Sequence, residues 1–383
     1  MVKRRVAIFV NVAIAYGRDT LLGISRYIRT HEPWLIFGDP DRSATPMGDA
    51  NEWDGDGVIG QISGPHNHDL LRRPGLPVIN VHDHTADWGV ASVLPDNIAI
   101  GRMGARHLLE RGFRHFGFCG FQGHGYSQWR ALGFATEVQR ERCQISQFDG
   151  EGMQTTPERW NEVKADMTAW VRSLPRPVGV MCCNDTRARH LAQICQDVGV
   201  RVPEDMALLG VDNDVLTCGM SNPPLSSVDL SAEQMGYEAA AVLDRLMAGG
   251  GRPTAPILIP PTGVVTRHSS DVLAISDPTV AQAVRFIYEH AGEPIGVDDV
   301  VNAVPASRRV LERRFRTILN HTIGEQIGNA RIDRAKELLV HSDVPTPVVA
   351  LRSGFRYVQQ FNMMFKRFTG VTPVAYRRQF HMR

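Results

Sequence analysis

Little in this sequence points to an exported or membrane-bound protein. The longest apolar run near its start, Val6 to Val10 behind Lys3, Arg4 and Arg5, is too short for a signal-peptide core or a membrane span, and no small-residue cleavage site follows it. The expectation is a cytoplasmic protein with no membrane partner. Six cysteines (Cys119, Cys143, Cys182, Cys183, Cys195, Cys218) include no C-x-x-C pair and no disulfide-scaffold spacing, so reduced, buried thiols are expected. Enzyme signatures are missing too. No Gly-Lys pair occurs, hence no P-loop, and there is no H-E-x-x-H and no G-x-S-x-G. The Gly-rich "GFCGFQGHG" near Gly117 lacks the G-x-G-x-x-G register. "HNH" at His66 to His68 and "HDH" at His82 to His84 have no further ligands at diagnostic spacing and read as loop histidines. The reading is a non-enzyme that requires no cofactor and no metal.

What is there divides unevenly. A chain of 383 residues, 43% apolar, is long enough for two soluble domains or more. Its net charge of +1 hides an asymmetry: from Val272 onward there are 16 Lys+Arg against 10 Asp+Glu, which leaves 26 against 31 ahead of that point. A basic module behind an acidic one is the footprint of a nucleic-acid-binding tail, although a solvated basic surface has the same count.

Up to about residue 267, short apolar runs rich in β-branched and aromatic residues alternate with amphipathic helical patterns, which predicts parallel sheets flanked by helices. The strand-like runs are "VAIFV" (Val6), "WLIFG" (Trp34), "GVIGQI" (Gly57), "PVINV" (Pro77), "HFGFCG" (His115), "VGVMCC" (Val178) and "ALLGV" (Ala207). Helices are predicted over Gly17 to Thr30, Asn97 to Arg111 and Ala232 to Ala248, and "ILIPPTGVVTR" reads as a final strand pair. The polar, turn-rich stretch that follows suggests residues 1–267 as one domain, 268–277 as a linker and 278–383 as a second, helical domain.

That second domain contains two related units, "VVNAVPASRRVLERRFRTILNHTIGEQI" and "VVALRSGFRYVQQFNMMFKRFTGVTPVAY": a short helix, a turn, a longer basic helix and a stop. A helix-turn-helix needs one apolar face for docking and one polar face for the major groove. In the first unit Ser307 suits an N-cap, and Leu311, Phe315, Ile318 and Leu319 form the docking stripe. Arg308, Arg309, Glu312, Arg313 and Arg316 then face outward; Arg can fork onto guanine and Glu can accept from cytosine. In the second, Phe361, Phe365 and Phe368 dock, leaving Tyr357, Val358, Gln359, Asn362, Met363 and Lys366 outward, with Gln359 and Asn362 suited to adenine.

In the first domain, "VMCCNDTRARH" and "PEDMALLGVDND" place Asn184, Asp185, Asp212 and Asn213 directly after strands, at the edge where open α/β sheets bind ligands. With Arg130 and Trp129 they supply the bidentate polar groups and the apolar face that sugars require. Plainer roles fit the same residues: Asp185 as a helix N-cap, Asp212 as a turn residue, Trp129 as core or rim.

The tail from Pro278 to Phe380 resembles the AraC-type DNA-binding domain through "ASRRVLERRFR", "RIDRAKELL" and "SGFRYVQQFNMMFKRFTGVTPVAYR". The resemblance implies base contacts from Arg309, Glu312 and Arg313 and from Val358, Gln359, Asn362 and Met363. Pro305 stands where that family usually has Gly, which leads us to expect a different docking of the first unit. From Val6 to Arg267 the chain resembles the two-lobed core shared by LacI-type repressors and periplasmic sugar-binding proteins. The residues that carry this are "LPDNIAIGRMGARHLLERGFRHFGF", "SQWRALGF", "CNDTRARH" and "PPLSSVDLSAEQMGYEAAAVL". This places Arg130, Asn184, Asp185 and Asp212 on sugar hydroxyls and Tyr16 on a pocket loop. The order of the two parts, with "AYGR" and "DPTVAQAVRFIYEHA", is similar to that of bacterial xylose operon activators. It implies D-xylose as effector, another pentose or a hexose being the alternative. It also implies double-stranded operator DNA, a homodimer, and RNA polymerase as a partner if the protein activates. A solute-binding transport protein would share the first domain but not the basic tail.

Overall fold

The computed structural model describes residues 3–38, 53–62, 75–82, 89–151, 157–275 and 277–380. The "HNH" motif and most of "HDH" lie outside these residues.

The N-terminal lobe is a six-stranded sheet in the order β11-β5-β4-β3-β1-β2, made of β1 (Arg5–Phe9), β2 (Leu35–Phe37), β3 (Gly57–Gly60), β4 (Val78–Asn80), β5 (Ala91–Pro95) and β11 (Ile257–Ile259). All its pairings are parallel. The second lobe is ordered β12-β10-β9-β8-β6-β7, from β6 (His115–Phe121), β7 (Gln144–Gly150), β8 (Val178–Cys182), β9 (Met206–Val211), β10 (Ser226–Asp229) and β12 (Gly263–Val265). Only β12 runs antiparallel, against β10. Each predicted run falls on a strand, but the final strand pair is not a pair. β11 joins β5 in the first sheet and β12 joins β10 in the second. The Pro260-Pro261 break removes two ladder donors and lets the chain change lobes there.

Helix α1 (Ala15–Thr30) packs in the first lobe against α7 (Ala232–Met247), burying Ile24, Met235, Ala239 and Leu243 in its core. The second lobe carries α2 (Asn97–Glu110), α3 (Gly125–Arg140), α4 (Pro157–Ser173), α5 (Asp185–Asp197) and α6 (Val215–Met220). Its sheet separates two apolar cores, one around Phe116, Phe118 and Phe134 and one around Val163, Val180 and Leu191. The six cysteines are free thiols, five of them buried.

Beyond a short 3-10 turn at His268–Ser270 the chain is helical: α8 (Pro278–Glu289), α9 (Val297–Asn302), α10 (Arg308–Leu319), α11 (Ile323–His341), α12 (Thr346–Arg352), α13 (Val358–Thr369) and α14 (Pro373–Phe380). Helix α11 starts on a capping box between Thr322 and Glu325 and is shared by two small cores. Ile323, Ile327 and Ala330 pack with Leu311 and Phe315; Ile332, Ala335 and Leu339 pack with Phe361 and Phe365. Among the described residues no helix is long and apolar enough to cross a membrane.

The two turns differ. In the second unit Gly354 has φ +75°, and a Cβ there would lie 2.4 Å from the Glu293 carbonyl oxygen, so only glycine fits. In the first, the Ala306 amide donates to the Val304 carbonyl (2.9 Å), closing an inverse γ-turn centred on Pro305. Proline's fixed φ near −65° suits that turn, and no positive φ is needed. With this different turn, Leu311, Phe315 and Leu319 of α10 are still buried.

Candidate functional site

The carboxyl ends of β8 and β9 hold the polar cluster anticipated from the sequence, with the roles redistributed. Asn184, not Asp185, caps α5: its side chain accepts from the Arg187 amide at 2.8 Å. Asp185 is buried beneath the site, where one oxygen accepts from the Ser227 hydroxyl (2.6 Å) and the other from the Asp214 amide (2.8 Å). Its carboxylate lies against the backbone of β9, where a Cβ on Gly210 would come within 2.0 Å of an Asp185 oxygen.

Asp212 and Asn213 follow β9 with φ of +107° and +52°. Left-handed backbone at consecutive non-glycine residues costs about 1–3 kcal/mol each, and such strain persists where surrounding structure holds it. Here the Asp212 amide donates to the Val228 carbonyl (3.1 Å) and the Asn213 amide to the Ser227 hydroxyl (2.9 Å). The Asn213 side chain is held by Arg267 (2.7 Å). The outcome is a carboxylate facing Arg130, with Nη1 and Oδ1 3.8 Å apart.

Arg130 is 3% exposed. Its Nε donates to Asn97 Oδ1 (2.8 Å), its Nη1 donates to the Cys183 carbonyl, and its guanidinium lies 5.0 Å from the Tyr126 ring centre. A buried guanidinium facing one nearby carboxylate across 3.8 Å, rather than in a tight fork, leaves hydrogen-bonding capacity for a polar ligand. Burial pushes the Asp212 carboxyl up to about 7, Arg130 opposing this while Asp214 and Asp19 add to it. Burial, followed by the charge of Asp212, also raises Asp185.

The lobes meet over this cluster. Tyr16, the second residue of α1, packs against the apolar cores of both lobes and donates to the Val81 carbonyl at 2.5 Å. Arg18 reaches across from α1 to Asp214 (3.1 Å), whose other oxygen caps α6 through the Leu216 and Thr217 amides. Trp129 is not brought to the cluster. It is 43% exposed and shares a helix face with Leu132, 51% exposed, while Arg130 turns inward. Asn97, Tyr126, Arg18 and Ser227 were not anticipated. Asn97 and Tyr126 sit in the stretches "LPDNIAIG" and "GYSQWR", where only a three-dimensional partner gives them meaning.

In the tail, Arg309, Arg313, Gln359, Asn362 and Met363 are exposed on α10 and α13. Arg308 is engaged with Asp298 (2.8 Å) and Glu312 (2.9 Å), so these two candidates are paired with each other. Phe368, expected in the docking stripe, lies in the last turn of α13 and is 40% exposed, though its ring still reaches α11 at Gly328, where Met364 packs more closely.

Comparison with known proteins matches this layout piece by piece. Residues 5–90 match a XylR N-terminal domain, 105–270 a periplasmic binding protein-like domain and 300–379 a helix-turn-helix domain. The xylose operon regulatory protein of Escherichia coli K12 is 32% identical over 98% of this chain and 97% of its own length. The chain belongs to the xylose operon regulatory protein family. The Haemophilus influenzae member is also 32% identical, over 97% of this chain and 98% of its own. A solved structure of a xylose-binding transcription activator superimposes over the full length of both chains with a TM-score of 0.63 at 30% identity. A ribose-bound LacI family regulator from Enterococcus faecalis shares the two-lobed fold, covering 70% of this chain and 98% of its own at TM-score 0.56 and 20% identity. This family member is a transcriptional regulator rather than an enzyme, with a sugar-binding type of core and an AraC-type helix-turn-helix region.

Proposed function

We propose that this protein is a D-xylose-responsive activator of sugar catabolism genes, with D-xylose bound between the lobes at Arg130, Asp212 and their neighbours. The observation that carries the reading is the buried Arg130–Asp212 pair, held by Asn97 and by strained backbone in a chain similar to xylose regulators over its whole length. A pentose is uncharged and presents hydroxyls and a ring oxygen, and a carboxylate and a guanidinium at this spacing supply acceptors and donors for them. Tyr16, Asn184, Asp185 and Asn213 surround or support this pair in our assignment, which leaves out the exposed Trp129, and Arg309, Arg313, Val358, Gln359, Asn362 and Met363 contact operator bases. We assign residues 1–267 to the effector domain, 268–277 to the linker and 278–383 to the DNA-binding domain.

The protein acts as a cytoplasmic homodimer that contacts RNA polymerase at its promoters. Support for the dimer comes from α6, which leaves Val215, Leu216 and Met220 72%, 65% and 83% exposed beside the Arg18–Asp214 bridge. An isologous interface buries such a patch against its own copy. Isothermal titration with D-xylose, D-ribose, L-arabinose and D-glucose tests the effector. Saturable binding strongest for D-xylose is the expected result. Preference for another sugar would reassign the effector, and binding of none would refute the sugar site.

A further inference from the structure

Two helices of the effector domain run from the sugar site to the DNA-binding domain, and their packing makes them one body. Where α2 and α3 cross, a Cβ on Gly101 would lie 2.1 Å from the Arg130 carbonyl oxygen, and one on Gly133 would lie 2.2 Å from that of Ile98. The backbones are therefore in direct contact, and neither helix can slide past the other without opening that contact. Arg106 and Glu137 tie the pair again further along, at 2.7 Å. At one end Arg130 of α3 holds Asn97 of α2 and faces Asp212. Fourteen residues of α2 carry the chain about 21 Å from there.

The other end meets α10, the first DNA-reading helix. Glu141, directly after α3, accepts a hydrogen bond from the Asn320 side chain (2.7 Å), and Arg114, after α2, donates to the Ile318 carbonyl. Asn320 is the C-cap of α10, with φ +62°. Arg111 at the end of α2 fixes the start of the connecting segment, through the Ser270 carbonyl (2.9 Å) and the Ala274 amide (2.8 Å). Its guanidinium lies 5.8 Å from the ring centre of Tyr288 on α8.

We propose that the α2–α3 pair is the element that reports sugar occupancy to the first DNA reader, through the contacts of Glu141 with Asn320 and of Arg114 with Ile318. This rests on the sugar site assigned above. A ligand drawn between Arg130 and Asp212 acts on one end of a stiff pair, and the displacement reaches the last turn of α10 without passing through the linker. The described hydrogen bonds to α10 at that end are two, Arg114 to Ile318 and Asn320 to Glu141, and such reporting requires that they open in one of two arrangements of α10. A small bias suffices to shift such an equilibrium. Geometric continuity is the observation; a coupling between the two ends is what must be measured.

Hydrogen–deuterium exchange of the full-length protein, with and without D-xylose at concentrations shown by calorimetry to saturate it, measures that coupling. In the wild type, sugar should change exchange of the amides in residues 318–322 by about fivefold or more, the lower end of usual allosteric couplings. Two variants remove the contact: Asn320→Gly, which retains the left-handed backbone without strain, and Glu141→Ala. Both should bind D-xylose with wild-type affinity to within about the coupling factor, exchange faster at 318–322 without sugar, and lose the sugar response there. A response of wild-type size in both variants, or a sugar-saturated wild type with unchanged exchange at 318–322, overturns the proposal. Failure of the wild type to bind D-xylose refutes the effector assignment instead. The sugar-free comparison then decides, since equal exchange in wild type and Glu141→Ala would show that the contact does not hold α10.

Discussion

Lowering the pH from 8 to 6 should weaken sugar binding about tenfold, through one carboxyl group. Burial pushes Asp212 up to about 7 against the pull of Arg130, with Asp214 and Asp19 contributing in the same direction as burial. A sugar hydroxyl donates to the ionised form, so the competent fraction falls from roughly nine tenths to roughly one tenth across that range, and apparent affinity falls with it, by about 1.4 kcal/mol. Titration calorimetry at pH 6, 7 and 8 measures this directly. Asp212→Asn keeps one acceptor in place but cannot ionise. It should bind more weakly at pH 8, by about 1.5–3 kcal/mol for a lost charge-assisted hydrogen bond, and show little pH dependence. Dependence left in the variant would come from other raised carboxyls near the site, Asp19, pushed up to about 6, and Asp185, part of whose rise the variant removes with the Asp212 charge. The stability of the sugar-free protein should move the other way. With the folded value near 7 and the ordinary value 3.8, the fold keeps a proton that the unfolded chain releases, so Asp212 costs stability as pH rises through that window. At pH 8 the variant should therefore melt higher than the wild type. Sugar affinity that ignores both pH and the substitution would refute Asp212 as a ligand.

Three further outcomes follow from the same structure. Asn362→Ala should cost about 1–3 kcal/mol at a single operator position in a binding assay against substituted sites, whereas a uniform loss over all sequences would mark Asn362 as a backbone contact. Burial, then the charge of Asp333, pushes Glu110 at the end of α2 up to about 8 from 4.5. The folded state retains that proton, so stability should fall as pH rises between these values, by at most about 1.4 kcal/mol per unit; Glu110→Gln should flatten the profile in thermal melts, and an unchanged profile would deny the shift. Pro305→Gly should destabilise the tail by about 0.4–1 kcal/mol, because the proline already has the φ its γ-turn uses and glycine restores freedom to the unfolded chain. Stabilisation on that substitution would mean that the turn is strained.

The strands read correctly from the sequence are those built of β-branched and aromatic residues, such as Val6 to Phe9 and Val178 to Cys182, whose side chains face helices on both sides of a parallel sheet. Three were missed: Ala91–Pro95, Gln144–Gly150 and Ser226–Asp229. The second of these is an edge strand, half exposed, so its polar residues carry no burial signal. The third is buried yet polar, because the Ser227 hydroxyl donates to Asp185 and the Ser226 hydroxyl pairs with the backbone of Arg267, while the Ser226 amide donates to the Ser269 hydroxyl. The polar residue types of the site were legible for a similar reason: they follow strands. Their division of labour was not. Whether Asp185 faces a ligand or braces Asp214 depends on Ser227, 42 residues away in sequence, and a pattern with periods of two or four residues does not reach that far.

The tail shows how much a family pattern constrains and what it leaves free. Spacing placed the docking residues Leu311, Phe315, Phe361 and Phe365 correctly because the 3.6-residue period and a shared central helix fix which side of each reader is buried. Glycine at the turn is a means to that end, not the end itself. Gly354 is required in the second unit because the Ala291 and Glu293 carbonyls crowd the turn, and nothing with a Cβ could take φ +75° there. The first unit has no positive φ at its turn, so a proline can close it through the Val304–Ala306 hydrogen bond and still deliver the apolar stripe of α10 to its own core. Two helix-turn-helix units with different turns therefore both bury the apolar stripe of their second helix. What distinguishes them lies outside the turns: the first reader is held by the effector domain at its own C-cap, Asn320, through Glu141, whereas the second meets that domain only after Gly370, through the Tyr376 hydroxyl and the Thr262 carbonyl, among the described residues.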